Sequence, residues 1–234
     1  GRVGQSRRAG GGLWYADAGQ YAVMVDLLAR AAPLALALGR QGPGAFRAAA
    51  PRNKRPTPSA MCFFQPPAAL AEFAVRERAP GNATTDFGAP DAALAIDAEP
   101  INETTLHRLQ AILAACWQTL GETVQATGDR PLRKGPRGGG RDLEQIVHHV
   151  VDAHESYLRK LGWQPEWTKS DDWQQTLAQV KAQTNEALAA AATGKTPRQG
   201  PRGGVYWQPA RFARRAAWHL LDHVWEIEDR VESS

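Results

Sequence analysis

The sequence predicts an all-α fold, an antiparallel four-helix bundle preceded by a largely irregular N-terminal segment, on three observations. From residue 101 onward, four segments of helical length repeat apolar residues every three or four positions, the period of a helix with one buried face. Gly- and Pro-rich strings punctuate them, and the alternation expected of strands is absent from this half. The first sixty residues, by contrast, contain 14 Ala, 9 Gly, 8 Arg and 5 Pro, a composition that buries too little contiguous apolar surface to offset the entropy of ordering.

Residues 1–80 are therefore expected to be a low-complexity, disordered leader. Only Tyr21 to Leu28 reads as a strand or short helix, and periodicity does not choose between them. An off-frame reading of GC-rich DNA yields the same residue types, and Gly1 in place of an initiator Met indicates a fragment or a start within a gene. Residues 81–100 read as a linker, and residues 101–232 as the bundle.

The first helix runs from about Glu103 to Ala126. Leu106, Leu109, Ile112, Leu113, Cys116, Trp117, Leu120 and Val124 form its stripe, and Asn102 is its N-cap. The second spans about Asp142 to Leu161, with Leu143, Ile146, Val147, Val150, Val151, Tyr157, Leu158 and Leu161 on one face and Gly162 as a stop. The third, about Asp171 to Ala192, carries Trp173, Leu177, Val180 and Leu188 and ends at Gly194. The fourth begins at Pro209, a first-turn residue, and presents Phe212, Ala213, Ala216, Leu220, Val224, Ile227 and Val231. Four such helices bury their stripes most simply against one another as a bundle. In an up-and-down order the second and fourth helices start at the same end, as do the GPRGG strings that precede them (135–139 and 200–204). Those strings are either compositional coincidence or a mouth where Arg137 and Arg202 admit an anionic substrate.

Charge and cysteine content exclude several classes. The net charge of +4 and pI near 9.3 are unevenly distributed: residues 1–60 hold nine Lys/Arg against two acids, residues 61–100 two against six, and residues 101–234 seventeen against sixteen. The basic balance belongs to the leader, so nucleic-acid binding through a basic arm is the outside alternative. Cys62 and Cys116, the only cysteines, have neither metal-knuckle nor CxxC spacing, which excludes a disulfide scaffold and points to the cytoplasm. No stretch approaches the roughly 18 apolar residues of a membrane span.

The histidines carry the chemistry. Five of the six lie on two helices: His148, His149 and His154 on the second, His219 and His223 on the fourth; His107 stands alone on the first and reads as surface. His219 and His223 are four apart, so both imidazoles share a face and can reach one cation. If both helices start at one end, His149 and His219 differ in height by about 4.5 Å, less than a turn. On a helical wheel His219 and His223 lie roughly 60–100° from their stripe direction and His149 about 120°, at the margin of the core, where a metal keeps open positions. His154 points along the stripe centre, either as the inward ligand, which the wheel alone favours, or as a core histidine bonded to a neighbour. His148 faces solvent.

QIVHHVVDAHESYL (Gln145 to Leu158) and AAWHLLDHVWEIEDR (Ala217 to Arg230) resemble the two signature helices of the DinB-like superfamily, bacterial four-helix bundles that include metal-dependent hydrolases and thiol S-transferases. The resemblance covers about Ile101 to Arg230. It implies a divalent metal held by the second His of the HHxxDxH string, His149, and by the two of WHxxxH, His219 and His223, against the wheel preference for His154. It also implies Zn, Ni or Fe as the metal, and a low-molecular-weight thiol as a further cofactor. Asp152, His154 and Asp222 are candidates to orient a ligand through its free N–H. The expected partners are a small-molecule substrate and a second copy of the chain, with no membrane and with nucleic acid only as the outside alternative; a non-catalytic metal-binding or interaction bundle is the alternative to an enzyme. GNATTDFGAPD (Gly81 to Asp91) is similar to a linker joining a small HicB-like α/β domain to a DinB-like one, which would make residues 1–80 a remnant of such a domain, although residues 1–60 lack its glycine-containing strand and helix pattern.

Overall fold

The computed structural model of the chain describes residues 84, 89–134, 139–167 and 173–232. The readings of residues 1–80, including Tyr21 to Leu28 and Cys62, and that of Arg137 lie outside them. The chain divides into two units, Gly1–Glu99 and Pro100–Ser234. Of the first, the described part contains one 3-10 turn, Ala95–Ala98, in which the Asp97 carboxylate accepts from the Leu94 N–H at 2.8 Å.

The second unit is a bundle of four helices: α1 (Glu103–Thr127), α2 (Leu143–Lys160), α3 (Trp173–Ala192) and α4 (Pro209–Arg230). Among the described residues there is no strand, only two isolated bridges, Leu132 with Val231 and Gln199 with Val205. The boundaries follow local chemistry. Asn102 accepts from the Thr105 N–H at 2.8 Å and starts α1. Asp142 and Gln145 satisfy each other's backbone N–H at 2.8 and 3.1 Å, a capping box that opens α2. Gly162, at φ 84°, turns the chain out of α2, where a Cβ would meet the Pro197 carbonyl and the Tyr206 ring at 3.1 Å each.

Most of the predicted stripe residues form the core, while Leu106, Leu143, Trp173 and Val231 stay half-buried at its margin. Leu113, Cys116, Trp117 and Leu120 of α1, Ile146, Val150 and Leu158 of α2, Val180 and Leu188 of α3, and Phe212, Leu220, Val224 and Ile227 of α4 are all buried. Burying each of the larger side chains contributes about 1.5–3 kcal/mol. α1 and α2 each pack on both α3 and α4 and lie diagonally across from each other.

The order of directions differs from the simple up-and-down reading. The Trp207 N–H, just before α4, donates to the Lys160 carbonyl at the end of α2 (2.6 Å), and the Arg230 side chain at the end of α4 donates to the Arg141 carbonyl just before α2 (2.6 Å). The helices α2 and α4 are therefore antiparallel neighbours that start at opposite ends. α1 ends beside the end of α4, since Arg133 N–H donates to the Arg230 carbonyl at 2.7 Å. α3 ends on the side where α2 ends, Pro197 lying against Gly162. Two helices run each way, α1 with α4 and α2 with α3. The physical reason is the connection between α2 and α3. Its twelve residues can extend about 40 Å, more than the roughly 27 Å length of α2, so the chain can return to the far end before α3 begins.

Candidate metal centre

Antiparallel packing brings His149 and His223 to one level, with His219 one turn farther along α4. His149 lies six residues from the start of α2 and His223 seven from the end of α4, about 9 and 10.5 Å from the same end of the bundle. The height match comes through opposed helices, not the parallel ones that the sequence arithmetic assumed. The ring centroids of His149, His219 and His223 lie 4.6–5.2 Å apart, and one nitrogen from each ring lies within 4.8 Å of the others. These three are the one such group of His, Cys, Asp or Glu among the described residues. The Nε2 atoms of His219 and His223 are 3.2 Å apart. Two imidazole nitrogens held at Zn–N lengths in tetrahedral geometry stand about 3.3 Å apart, so this pair is already spaced for one ion.

Hydrogen bonding fixes the orientation of His223. Its Nδ1 lies 2.8 Å from Glu226 Oε2. That hydrogen bond is the main cause holding the Glu226 carboxyl below its usual range, against an opposing effect of burial, so Glu226 is an anion and can only accept. Nδ1 therefore carries the proton, and the Nε2 lone pair faces His219. The other Glu226 oxygen takes Arg230 Nη1 at 2.5 Å, and Arg230 is fixed in turn by the Arg133 and Arg141 carbonyls at 3.0 and 2.6 Å.

Burial and neighbouring charges disfavour the protonated forms of His149 and His219. Burial, followed by the charges of His223, Arg215, His149 and His154, pushes His219 down to about 2. His149, half-buried, is lowered first by burial and then by Arg141 and His223, with Glu226 and Asp152 opposing. Neutral imidazoles are the form that binds a metal, and a three-nitrogen donor set suits the borderline divalent ions. The chemistry of the residues thus fits a divalent cation.

The remaining histidines sort cleanly. His154 is buried in the core, its ring edge-on to Trp117 (5.0 Å) and Phe212 (5.6 Å), and its Nε2 lies 2.7 Å from the Thr184 hydroxyl, which itself donates to the Val180 carbonyl. It is bonded to a neighbour, as one of the two sequence readings had it. Burial lowers it to about 3. His148 is exposed beside Glu144, and His107 is exposed on α1. Asp152 acts on His149 through its charge, and Asp222 is half-buried on α4. Glu226, which the sequence reading missed, bonds a site histidine. Its signal was the i, i+3 spacing from His223, which puts both on one face.

On the other side of the imidazoles stands an aromatic wall. Tyr157 lies edge-on to His219 at 5.6 Å and stacks on Trp207 at 5.7 Å, and Trp218 is tilted against His219 at 6.4 Å. No helix among the described residues is long and apolar enough to cross a membrane.

No curated protein and no solved structure matches the chain. Residues 112–227 match the family model of the DinB superfamily, a span that takes in most of α1, all of α2 and α3, and α4 through Ile227 with the three histidines. With the four-helix frame and the converging imidazoles, that match makes the C-terminal part of this chain a member of the DinB superfamily.

Proposed function

We propose that the C-terminal domain is a metal-dependent enzyme acting on a small molecule, a thiol S-transferase or a hydrolase, with Zn, Ni or Fe held as a divalent ion by His149, His219 and His223. The single observation that carries the reading is the convergence of three nitrogens within 4.8 Å, two of them on buried rings and one on a half-exposed ring. A divalent ion held there would lower the pKa of a bound water or thiol and so supply a nucleophile near neutral pH. Glu226 holds the His223 tautomer that directs Nε2 inward. Tyr157 and Trp218 exclude water from the His219 side, while His149, only half-buried, leaves an approach for a substrate and a low-molecular-weight thiol.

Elemental analysis of the purified protein and of His149→Ala and His219→Ala tests the ligand set. About one equivalent of metal in the parent and strong loss in both variants is expected, and full metal in both variants would refute it. Screening the metal-loaded protein with low-molecular-weight thiols and electrophilic or hydrolysable substrates tests the activity. A metal-loaded protein inert to all of them favours a non-catalytic metal-binding bundle.

A further inference from the structure

Where α4 ends, one side chain ties three segments together. The Arg230 guanidinium donates through Nε to the Arg133 carbonyl at 3.0 Å, through Nη1 to Glu226 Oε1 at 2.5 Å and through Nη2 to the Arg141 carbonyl at 2.6 Å. Arg133 follows α1 and Arg141 precedes α2, so the same group holds both ends of the connection between those helices. All three of its nitrogens are engaged, and at 16% exposure the side chain is not a solvent-screened surface charge. The main chain is zipped at the same place. The Arg133 N–H donates to the Arg230 carbonyl at 2.7 Å, the Glu232 N–H to the Pro131 carbonyl at 3.2 Å, and Leu132 forms an antiparallel bridge with Val231. Arg133 Nη2 adds a bond to the Asp229 carbonyl at 3.1 Å.

Two facts make this clasp more than the end of a helix. The oxygens of Glu226 are divided, Oε1 on Arg230 and Oε2 on His223, so the carboxylate cannot turn without breaking a charge-assisted bond. Among the described residues neither His149 nor His219 bonds a carboxylate or a backbone carbonyl, so His223 is the one imidazole of the cluster that is anchored from outside it. What holds Glu226 therefore sets the cluster. A guanidinium is planar with its N–H directions fixed, and three acceptors from three segments define its position. An ammonium carries its donors at one point on a flexible stem and cannot span the same three acceptors.

We propose that Arg230 is a positioning residue of the metal centre, in a place that only arginine fills: the clasp fixes its guanidinium, the guanidinium fixes Glu226, and Glu226 holds the His223 ring. The chain segments that meet at the clasp, the connection between α1 and α2 and the residues that follow α4, are thereby coupled to the affinity of the centre. This deepens the proposed function and rests on it only in that a metal ion is what the held imidazole serves.

The test compares the full chain with Arg230→Lys, Arg230→Ala and Glu232→Pro. The last removes the Glu232 N–H from the clasp, and Val231 before it already has the extended backbone (ψ 128°) that a following proline requires. In the chelator-treated proteins, nitrogen-15 NMR reads the His223 ring. The parent is expected to carry its proton on Nδ1, and both Arg230 variants to show a mixture of tautomers. Competition with a chromophoric chelator reads zinc, whose affinity is expected to fall roughly 3–10-fold in both Arg230 variants and about 2–3-fold in Glu232→Pro. Arg230→Lys with the parent's tautomer and zinc affinity overturns the proposal, since charge alone would then suffice. An unchanged His223 ring in Arg230→Ala also overturns it. If the Arg230 variants do not fold, Glu232→Pro decides: a weakened zinc affinity supports the coupling, and parent affinity with the parent tautomer overturns it. A parent chain that retains no zinc counts against the metal centre alone, because the NMR arm is read without metal.

Discussion

His223 and Glu226 are joined by a 2.8 Å hydrogen bond from Nδ1–H to Oε2, and that one bond decides which face of the imidazole is available to a cation. With the Nδ1 proton held by a carboxylate, Nε2 keeps its lone pair and gains basicity. Removing the carboxylate releases the tautomer and the ring's rotation.

Glu226→Ala should therefore weaken zinc binding by roughly 10–100-fold with the fold retained, the usual cost of losing such an outer partner. Glu226→Gln, which can still accept the hydrogen bond but has no charge, should lose less. Competition titration against a chromophoric chelator reads both, and equal affinity in all three proteins would remove Glu226 from the site.

His154 belongs to the core and not to the histidine cluster. Its Nε2 bonds the Thr184 hydroxyl within the core. Thr184→Val keeps the shape and strands that nitrogen, so it should cost about 1–3 kcal/mol in urea unfolding. Metal content should stay at the parent level. A loss of metal without a loss of stability would return His154 to the ligand shell.

What the sequence could and could not reveal divides along physical lines. The stripes of α1, α2 and α4 were legible because a helix that buries one face must repeat at three or four, and caps such as Asn102 and Asp142 announce their ends locally. Helix direction was not legible: a stripe reads the same up or down, and only the length of the connection between α2 and α3 bears on it. The same limit made the height comparison of His149 with His219 start from the wrong end, while the family resemblance chose His149 without any geometry. Glu226 lay within reach of the i, i+3 rule, the same spacing that Asp222 has from His219.

Acid should destabilise the metal-free protein earlier than carboxylate titration alone would. In the unfolded chain His154 and His219 take up protons below about 6.5. In the folded chain burial holds them down to about 3 and about 2. The unfolded state thus binds more protons as pH falls through 6.5, and stability declines from there until the folded values are reached. Well inside that window each histidine contributes a slope of about 1.4 kcal/mol per pH unit. Glu226, whose carboxyl is also depressed, adds to the loss below its usual range. Urea unfolding between pH 7.5 and 4.5 in the presence of a chelator checks this, and a flat profile from 6.5 to 5 would contradict the burial of both rings. With zinc bound, the decline should be steeper, because the ion dissociates as its ligands take up protons.

Gly140 connects the start of α2 to the histidine cluster through Arg230. It sits at φ 129°, and a Cβ there would stand 2.7 Å from Arg230 Nη2 and 3.2 Å from its Cζ. The same guanidinium bonds the Arg133 and Arg141 carbonyls and Glu226. Gly140→Ala should therefore act twice. The backbone at a conformation that favours glycine costs of order 1–3 kcal/mol of stability. The methyl group also displaces Arg230, which loosens Glu226 and so His223, and zinc affinity should fall by roughly 3–10-fold, less than for loss of Glu226 itself. Arg230→Ala separates the two effects, since it opens the space a methyl group needs. In that background Gly140→Ala should still lower stability but change zinc affinity no further, the non-additivity expected of residues in one network. Fully additive losses of zinc affinity would show that Gly140 does not act through Arg230, and that the chain of contacts from the loop to His223 carries no coupling.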